Sequence, residues 1–386
     1  MRRSWALLAT TICIRQIYFK FCIRVRQWGH LPARRGPTVL ITNHQHVDEG
    51  EMVVGRTFLR HPFHLLLMCN SRRTFETGFI AARLPWSLGF TRGLNLSRFW
   101  EAYGILPIEN HLFSRPLISL AEELRASHGD LPLDEILPSE AILPLGLDGL
   151  SLGDLWKREH FTSAQAWIKL AQLKSPYRRE VLERLRSVTE RDVAAIVENV
   201  REGATFYITP EGDFSRDGRM HPMRGGIVES LAPFARLWLC AIAYDPFRRG
   251  RLSMLYRVLP HEEGEDVGTA LAAARPVTTS AVLAEFLLDG PQTFAQEDAV
   301  RAVRKRLDAL DGAAFVDPEL LADPARVVED ALGALLRRGT LERGEGGYRL
   351  TTQRGDERFP HVADMVAYQR AMLDETIASA GRRGSR

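Results

Sequence analysis

The sequence predicts an α/β protein, with a mixed, mostly parallel sheet flanked by helices. An N-terminal amphipathic helix precedes the sheet, and a smaller helical, winged-helix-like region follows it. The main observation is that short β-branched and aliphatic runs alternate with helical periodicity between residues 31 and 264. The length of 386 residues also suits one large domain with a smaller one.

Residues 1–30 have the pattern of a basic amphipathic arm. In "CIRQIYFKFCIRVRQWG" the apolar residues recur every three or four positions, and before Asp48 the chain has eight Arg and Lys but no Asp or Glu. Such a helix suits an anionic membrane surface, and helices that pack on a protein's own core share the same pattern. We expect a membrane-associating arm with cations mostly off the apolar stripe: Arg15, Lys20, Arg24 and Arg26.

The elements of the predicted sheet domain, residues 31–264, follow one another in α/β order. "PTVLIT" predicts a strand, and a helix should run from about Glu49 to Leu59. "HPFHLLLMC" and "GILPIEN" predict strands, and "SRPLISLAEELRAS" predicts a helix capped by Ser114. After an insertion or lid at about 130–198, strands resume in "GATFYIT", "WLCAIAYD" and "RLSMLYRVLP".

The region 265–386 is predicted to be mostly helical. Near its end, "ARVVEDALGALLRRGTLERGEGGYRLTTQ" indicates an amphipathic helix and two short strands around a glycine-rich turn. That order is typical of a winged helix. The segment has few cations, and the net charge of the chain is only +3, so we expect no nucleic-acid partner.

The four cysteines are scattered, without metal-type or disulfide spacing. They are typical of a reducing compartment, and we expect a cytoplasmic protein that is peripheral on the cytoplasmic face of a membrane.

The stretch "ITNHQHVDEGE" places histidines and carboxylates directly after the first predicted strand. A histidine near neutral pKa accepts a proton from a hydroxyl best when a carboxylate fixes its tautomer. Asp48 can meet His44 on one helical face, whereas Glu49 reaches it if the intervening turn is not helical. Two other interpretations fit this stretch. One is a metal site made of His44, His46 and a carboxylate, and the other is a charged loop exposed to solvent.

A second stretch, "YITPEGDFSRDGRMHPMRGG", runs from a strand into a loop rich in glycine and arginine. Glycines permit turns whose N–H groups face an anion, and the guanidinium fork matches phosphate. Two glycines before the next helix leave its amino end open to an anion.

Together these stretches resemble the glycerolipid acyltransferase superfamily, whose best-known members are the lysophosphatidate acyltransferases. The resemblance rests on Asn43-His44 after a buried strand, and on Pro-Glu-Gly followed by "FSRDG" and "PMRGG". It covers about residues 15–260 apart from the insertion. In the family, four residues separate the histidine from the aspartate, and the same spacing from His44 leads to Glu49. The order of an apolar residue followed by an acid, Val47-Asp48, favours Asp48 instead.

The resemblance implies transfer of an acyl group from acyl-CoA or acyl carrier protein to a lipid hydroxyl, without a further cofactor, metal or covalent intermediate. His44 would be the base, oriented by Asp48 or Glu49. Other positions would bind substrate, phosphate or the oxyanion: Glu211, Gly212, Arg216 and Arg224.

The departures from the family pattern keep a second function open. Asp213 and Phe214 replace a Thr-Arg pair, Asn110 replaces an arginine, and Arg224 stands in place of a lysine. A non-catalytic lipid or acyl-CoA binding protein that keeps the fold is therefore the alternative.

Overall fold

The computed structural model describes 13, 16–17, 20–31, 36–46, 49–60, 66–71, 104–108, 114–212, 214–223 and 226–384. The chain forms two compact units. The smaller unit is built mainly from Met68–Glu198, and the main unit comprises Trp5–Leu67 and Asn199–Arg386.

The strands are β1 Ile23–Trp28, β2 Thr38–Thr42, β3 Leu66–Ser71, β4 Ile105–Ile108, β5 Ser114–Pro116, β6 Trp167–Lys169, β7 Thr205–Ile208, β8 Arg236–Asp245, β9 Leu252–Pro260, β10 Thr293–Phe294, β11 Leu341–Gly344 and β12 Gly347–Leu350. The helices are α1 Glu49–Arg60, α2 Leu117–His128, α3 Leu133–Ile136, α4 Ser139–Ile142, α5 Tyr177–Arg201, α6 Ile227–Leu231, α7 Val267–Ala274, α8 Thr279–Asp289, α9 Gln296–Leu310, α10 Pro318–Ala322, α11 Pro324–Arg337 and α12 Met365–Gly384.

The main unit carries its strands in the order β1-β9-β8-β2-β7. The pairs β1·β9, β8·β2 and β2·β7 are parallel, and β8·β9 is antiparallel. Strands β2 and β7 are buried along their whole length, which explains their continuous apolar sequence. Helix α1 packs on β7, while α7 and α8 pack on β8. The predicted α/β class with a mixed, mostly parallel sheet flanked by helices is confirmed.

The smaller unit contains the parallel pair β3·β4 and the antiparallel pair β5·β6. Its apolar core joins one face of α2 to the leucine-rich segment after residue 130 and to the start of α5. Leu120, Leu147 and Leu155 are fully buried in this core. The leucines without a clear period therefore pack among short helices and turns.

The C-terminal part of the main unit is mostly helical. Helices α7 and α8 both pack against α12, and α9 packs against α11. Helix α11 leads into the hairpin β11–β12, which β10 extends to a three-stranded antiparallel sheet. The helix and the two strands lie where the sequence predicts them, and the winged-helix assignment stays a prediction.

The predicted N-terminal helix is wrong over Ile23–Trp28, which forms the edge strand β1. The sequence "IRVRQW" fits both a helical stripe and the alternation of apolar and polar residues that is typical of a strand. Its parallel pairing with β9 stabilises the strand. Arg24 and Arg26 pair with Glu319 and Asp317. These two arginines therefore meet carboxylates of the protein, and residues 1–12 lie outside the described ranges.

Ser114 is also not the cap of α2. It belongs to β5, opposite Lys169, and the helix begins after Pro116, which has extended backbone angles and no side-chain cap. No helix in the described ranges is long and apolar enough to cross a membrane.

Candidate active site

The site lies at the edge of the main unit's sheet where β2 and β7 end. The two strands are adjacent and parallel, so the segments that follow Thr42 and Ile208 leave the sheet at the same edge. Ligands of open α/β sheets bind outside these carboxyl ends. His44 follows β2 by two residues, and Glu211 follows β7 by three.

Asn43 fixes the path of the chain as it leaves β2. Its side-chain amide donates to the carbonyl of Ile242 at 3.0 Å, and its carbonyl oxygen accepts the N–H of Ile242 at 2.7 Å. Thr42 adds a hydroxyl hydrogen bond of 2.6 Å to the carbonyl of Cys240. All of these groups are buried, so the turn that carries His44 starts from a fixed point on β8.

Glu49 is the carboxylate that contacts the His44 ring. Its Oε2 lies 3.0 Å from Nδ1 of His44, and its side chain is fully buried. The same carboxylate accepts the backbone N–H groups of Gln45 and His46 at 2.9 Å each. Burial raises the pKa of Glu49, while the His44 ring and these N–H donors lower it. The carboxylate thus fixes both the turn and the orientation of the imidazole.

His44 remains partly accessible, because about 20% of its side chain is exposed. With the Nδ1 proton shared with Glu49, Nε2 is the nitrogen left to accept a proton. Phe214 packs against the His44 ring, with 4.3 Å between the ring centroids. The ring is therefore held on two sides.

Glu211 joins the two segments. Its Oε1 accepts the backbone N–H of His44 at 2.7 Å, and its Oε2 accepts the backbone N–H of His221 at 2.7 Å. The carbonyl of His44 in turn accepts the N–H of Ser215 at 3.1 Å. Glu211 is only 3% exposed, so it supports the loop. Burial raises its pKa to about 7, although the two N–H donors and Arg275 act in the opposite direction.

Residues beyond 265 support the loop after β7 that carries Arg216, which we call the arginine-bearing loop. Arg275, which is 1% exposed, donates to the carbonyl of Gly218 at 3.1 Å and forms an ion pair with Glu375 at 2.5 Å. Glu375 also accepts the N–H of Met220 at 2.9 Å. Gly218 has φ +86°, and a Cβ there would lie 2.1 Å from the carbonyl oxygen of Tyr368. Only glycine fits between the loop and α12.

A row of rings continues from His44 into the C-terminal part. Phe214 stacks on His361 with centroids 5.1 Å apart, and Phe359 contacts His46 at 5.4 Å. Burial, followed by the charge of His46, lowers the pKa of His361. His361 is therefore mostly neutral at pH 7 and presents an uncharged aromatic wall beside the site.

Of the remaining predicted site residues, the structure describes Arg216 and Gly212. Arg216 is exposed on the loop, and its charge acts on the neighbouring His361. Gly212 has φ +69°, and its N–H already donates to the carbonyl of Thr209 at 3.1 Å, so that N–H cannot face an oxyanion. Asp48 and Arg224 lie outside the described residues.

Within the described ranges, no group of three or more His, Cys, Asp or Glu side chains is arranged to hold a metal ion. His46 turns its ring toward Tyr244 and Phe359. No family model matches the chain, and no curated protein matches it.

Sequence reasoning missed the contributions of Arg275, His361 and Glu375. They lie in the C-terminal region, where no local pattern distinguishes them from surface residues. Phe214 was visible only as a departure from the family pattern, and its packing on His44 gives that departure a physical role.

Proposed function

We propose that the protein is an O-acyltransferase of lipid metabolism, with the fold and mechanism of the glycerolipid acyltransferases. It moves a fatty acyl group from acyl-CoA or acyl carrier protein to a hydroxyl of a lysophospholipid or related lipid. It works in the cytoplasm, at the cytoplasmic face of a membrane. The observation that carries this proposal is the 3.0 Å contact between Nδ1 of His44 and the buried carboxylate of Glu49, beside the arginine-bearing loop.

The reaction is a single displacement. Nε2 of His44 takes the proton of the acceptor hydroxyl as its oxygen attacks the thioester carbonyl. The carbon–sulfur bond then breaks, and the imidazolium returns the proton to the leaving thiolate. General-base assistance of this kind contributes about 10² to 10⁴ in rate, and positioning supplies much of the rest.

The surroundings of His44 support direct transfer. Among the residues that the structure describes, the carboxylate of Glu49 and the ring of Phe214 contact the His44 side chain. The phenyl ring is not a nucleophile, and the carboxylate is engaged by the imidazole and by two backbone N–H groups. In its ionised form Glu49 stabilises the imidazolium, because the contact between the two groups is largely shielded from water.

Arg216 is the cation of the loop that we assign to phosphate on the acceptor or on the thioester carrier. It is exposed at the same edge as His44, on a loop held by Glu211 and Arg275. A guanidinium on a supported loop binds phosphate with geometric specificity. Arg224, at the end of the loop, is proposed to do the same from the resemblance alone.

The experiment is a product assay with purified protein. Labelled acyl-CoA is incubated with a panel of lysophospholipids, and mass spectrometry follows the new ester while a thiol reagent follows free CoA. We expect ester and thiol to appear in equal amounts with at least one acceptor. Binding of acyl-CoA or lysolipid without either product would contradict the transferase and favour the non-catalytic binding protein. Thiol release without ester would also contradict the transferase, because the thioester would then be hydrolysed instead of transferred.

A further inference from the structure

A second cationic feature lies away from His44, in a cleft between α1 and β1. The cleft has a volume of about 630 Å³. Of the described residues that line it, half are cations and none is acidic, with contributions from the N-terminal segment, β1, α1 and the β8–β9 turn. The cations are Lys20, Arg24, Arg56, Arg60 and Arg251.

Among the residues that the structure describes, one of these five cations has an acidic partner. Arg24 pairs with Glu319, whereas no carboxylate among the described side chains forms an ion pair with the other four. Arg60 contacts Nδ1 of His30 at 2.6 Å, and Arg251 donates to the carbonyl of Lys20. Cations gathered around one concavity repel one another unless an anion occupies it.

Helix stability explains only part of this arrangement. A cation in the last turn of a helix is favoured by the helix dipole, which accounts for Arg60 in α1. It does not account for Arg56 one turn earlier, because like charges four residues apart destabilise a helix. It also does not explain why Lys20 and Arg251 approach the same space from other elements.

We propose that this cleft is a phosphate-binding site, separate from the His44 site, and that its ligand is a phosphate-bearing anion. Arginine forks and a lysine ammonium on several sides of a concavity suit phosphate oxygens. The surroundings favour a phospholipid headgroup as the source. On the same segments, Phe21, Ile17 and Leu59 expose 74%, 58% and 53% of their surface. These apolar side chains can insert among the acyl chains of a membrane.

The inference does not depend on acyl transfer, and its test uses binding alone. The purified full chain is mixed with phosphatidylcholine vesicles with and without phosphatidic acid, and sedimentation measures the bound fraction. In a second arm, calorimetry measures the binding of inorganic pyrophosphate. The variant is Arg56→Gln/Arg60→Gln, and the matched control is Arg304→Gln/Lys305→Gln, which removes two exposed charges from α9.

We expect the cleft variant to bind acidic vesicles about 30-fold more weakly, since each cation near an anionic surface contributes roughly a factor of five. The control variant should stay within about twofold of the unchanged protein. A loss confined to the vesicle arm identifies a lipid headgroup, and a loss in both arms identifies phosphate itself.

The variant Arg56→Lys/Arg60→Lys tests whether misfolding causes a loss of binding. It keeps the charge and should keep most of the binding. Equal binding by the cleft variant and the control variant in both arms would overturn the proposal, as would failure of the unchanged protein to bind either ligand.

Discussion

The backbone N–H of His44 donates a hydrogen bond to Oε1 of Glu211, 2.7 Å away, across 167 residues of sequence. The bond joins the turn after β2 to the loop after β7 because these strands are parallel neighbours. Through its other oxygen, Glu211 holds His221 at the far end of the loop. One buried carboxylate therefore sets the position of the imidazole and of the loop that carries Arg216.

Glu49, rather than Asp48, is expected to orient His44. Glu49→Gln keeps the size of the side chain but removes the charge and places an amide group against N–H donors. We expect acyl transfer to fall about 10² to 10⁴-fold. Asp48→Asn is the comparison, with activity expected within about threefold of the unchanged protein. Steady-state kinetics on both variants decides, and a larger loss in Asp48→Asn would exclude Glu49 as the orienting group.

Glu211 should make stability depend on pH. Its pKa is about 7 in the folded protein against an ordinary value of 4.5, so the folded state keeps a proton that the unfolded chain has lost. Stability therefore falls as pH rises from about 5 to 8, by roughly 2 to 3 kcal/mol from this group. Denaturant unfolding of Glu211→Gln at several pH values should lack that part of the slope. Identical slopes for both proteins would contradict it.

Gly218 should tolerate no side chain. Gly218→Ala would place a Cβ 2.1 Å from the carbonyl oxygen of Tyr368, in a backbone conformation with φ +86°. We expect the free energy of unfolding to fall by more than about 3 kcal/mol, from strain together with the clash. Gly250→Ala is the control, because Gly250 has φ +82° but open space around it, and strain alone should cost about 1 to 2 kcal/mol. Equal losses would show that α12 does not confine the loop.

The pairing of β1 with the C-terminal region should contribute strongly to stability. Asp317 is fully buried, caps α10 and accepts two hydrogen bonds from Arg26 at 2.5 and 2.6 Å. Asp317→Ala removes the fully buried carboxylate and leaves Arg26 beside the partly exposed Glu319, 3.4 Å away, and should cost about 3 kcal/mol.

Asp323→Ala is the matched control, because Asp323 also caps a helix and pairs with an arginine, Arg326, but in solvent. Its expected cost is about 1 kcal/mol. Chemical denaturation measures both variants, and a similar cost for each would mean that β1 gains little from Asp317.

Much of the sheet could be predicted because its strands are buried runs with clear boundaries. Strands β2, β7, β8 and β9 all lie where their apolar sequences indicate. Strand β1 could not be predicted because "IRVRQW" fits both periods, and only its pairing with β9 selects one. The conflict arose at an edge strand, where the pattern is weakest.

The two sequence stretches that form the candidate site could be predicted, but the residues that support them could not. His44 and Glu49 are five residues apart, so their contact follows from local sequence. The ion pair of Arg275 with Glu375 spans 100 residues, and the stacking of Phe214 on His361 depends equally on the tertiary fold. A lone arginine at the end of a helix carries no signal of its distant partner.

The most direct test measures ester formation and ligand binding on the same preparations of the unchanged protein and of His44→Ala. Because Nε2 of His44 is the proposed base, we expect ester formation to fall by about 10² to 10⁴-fold. The affinities for acyl-CoA and for the lysophospholipid should change by less than about threefold. Undiminished ester formation by His44→Ala would contradict the proposed mechanism.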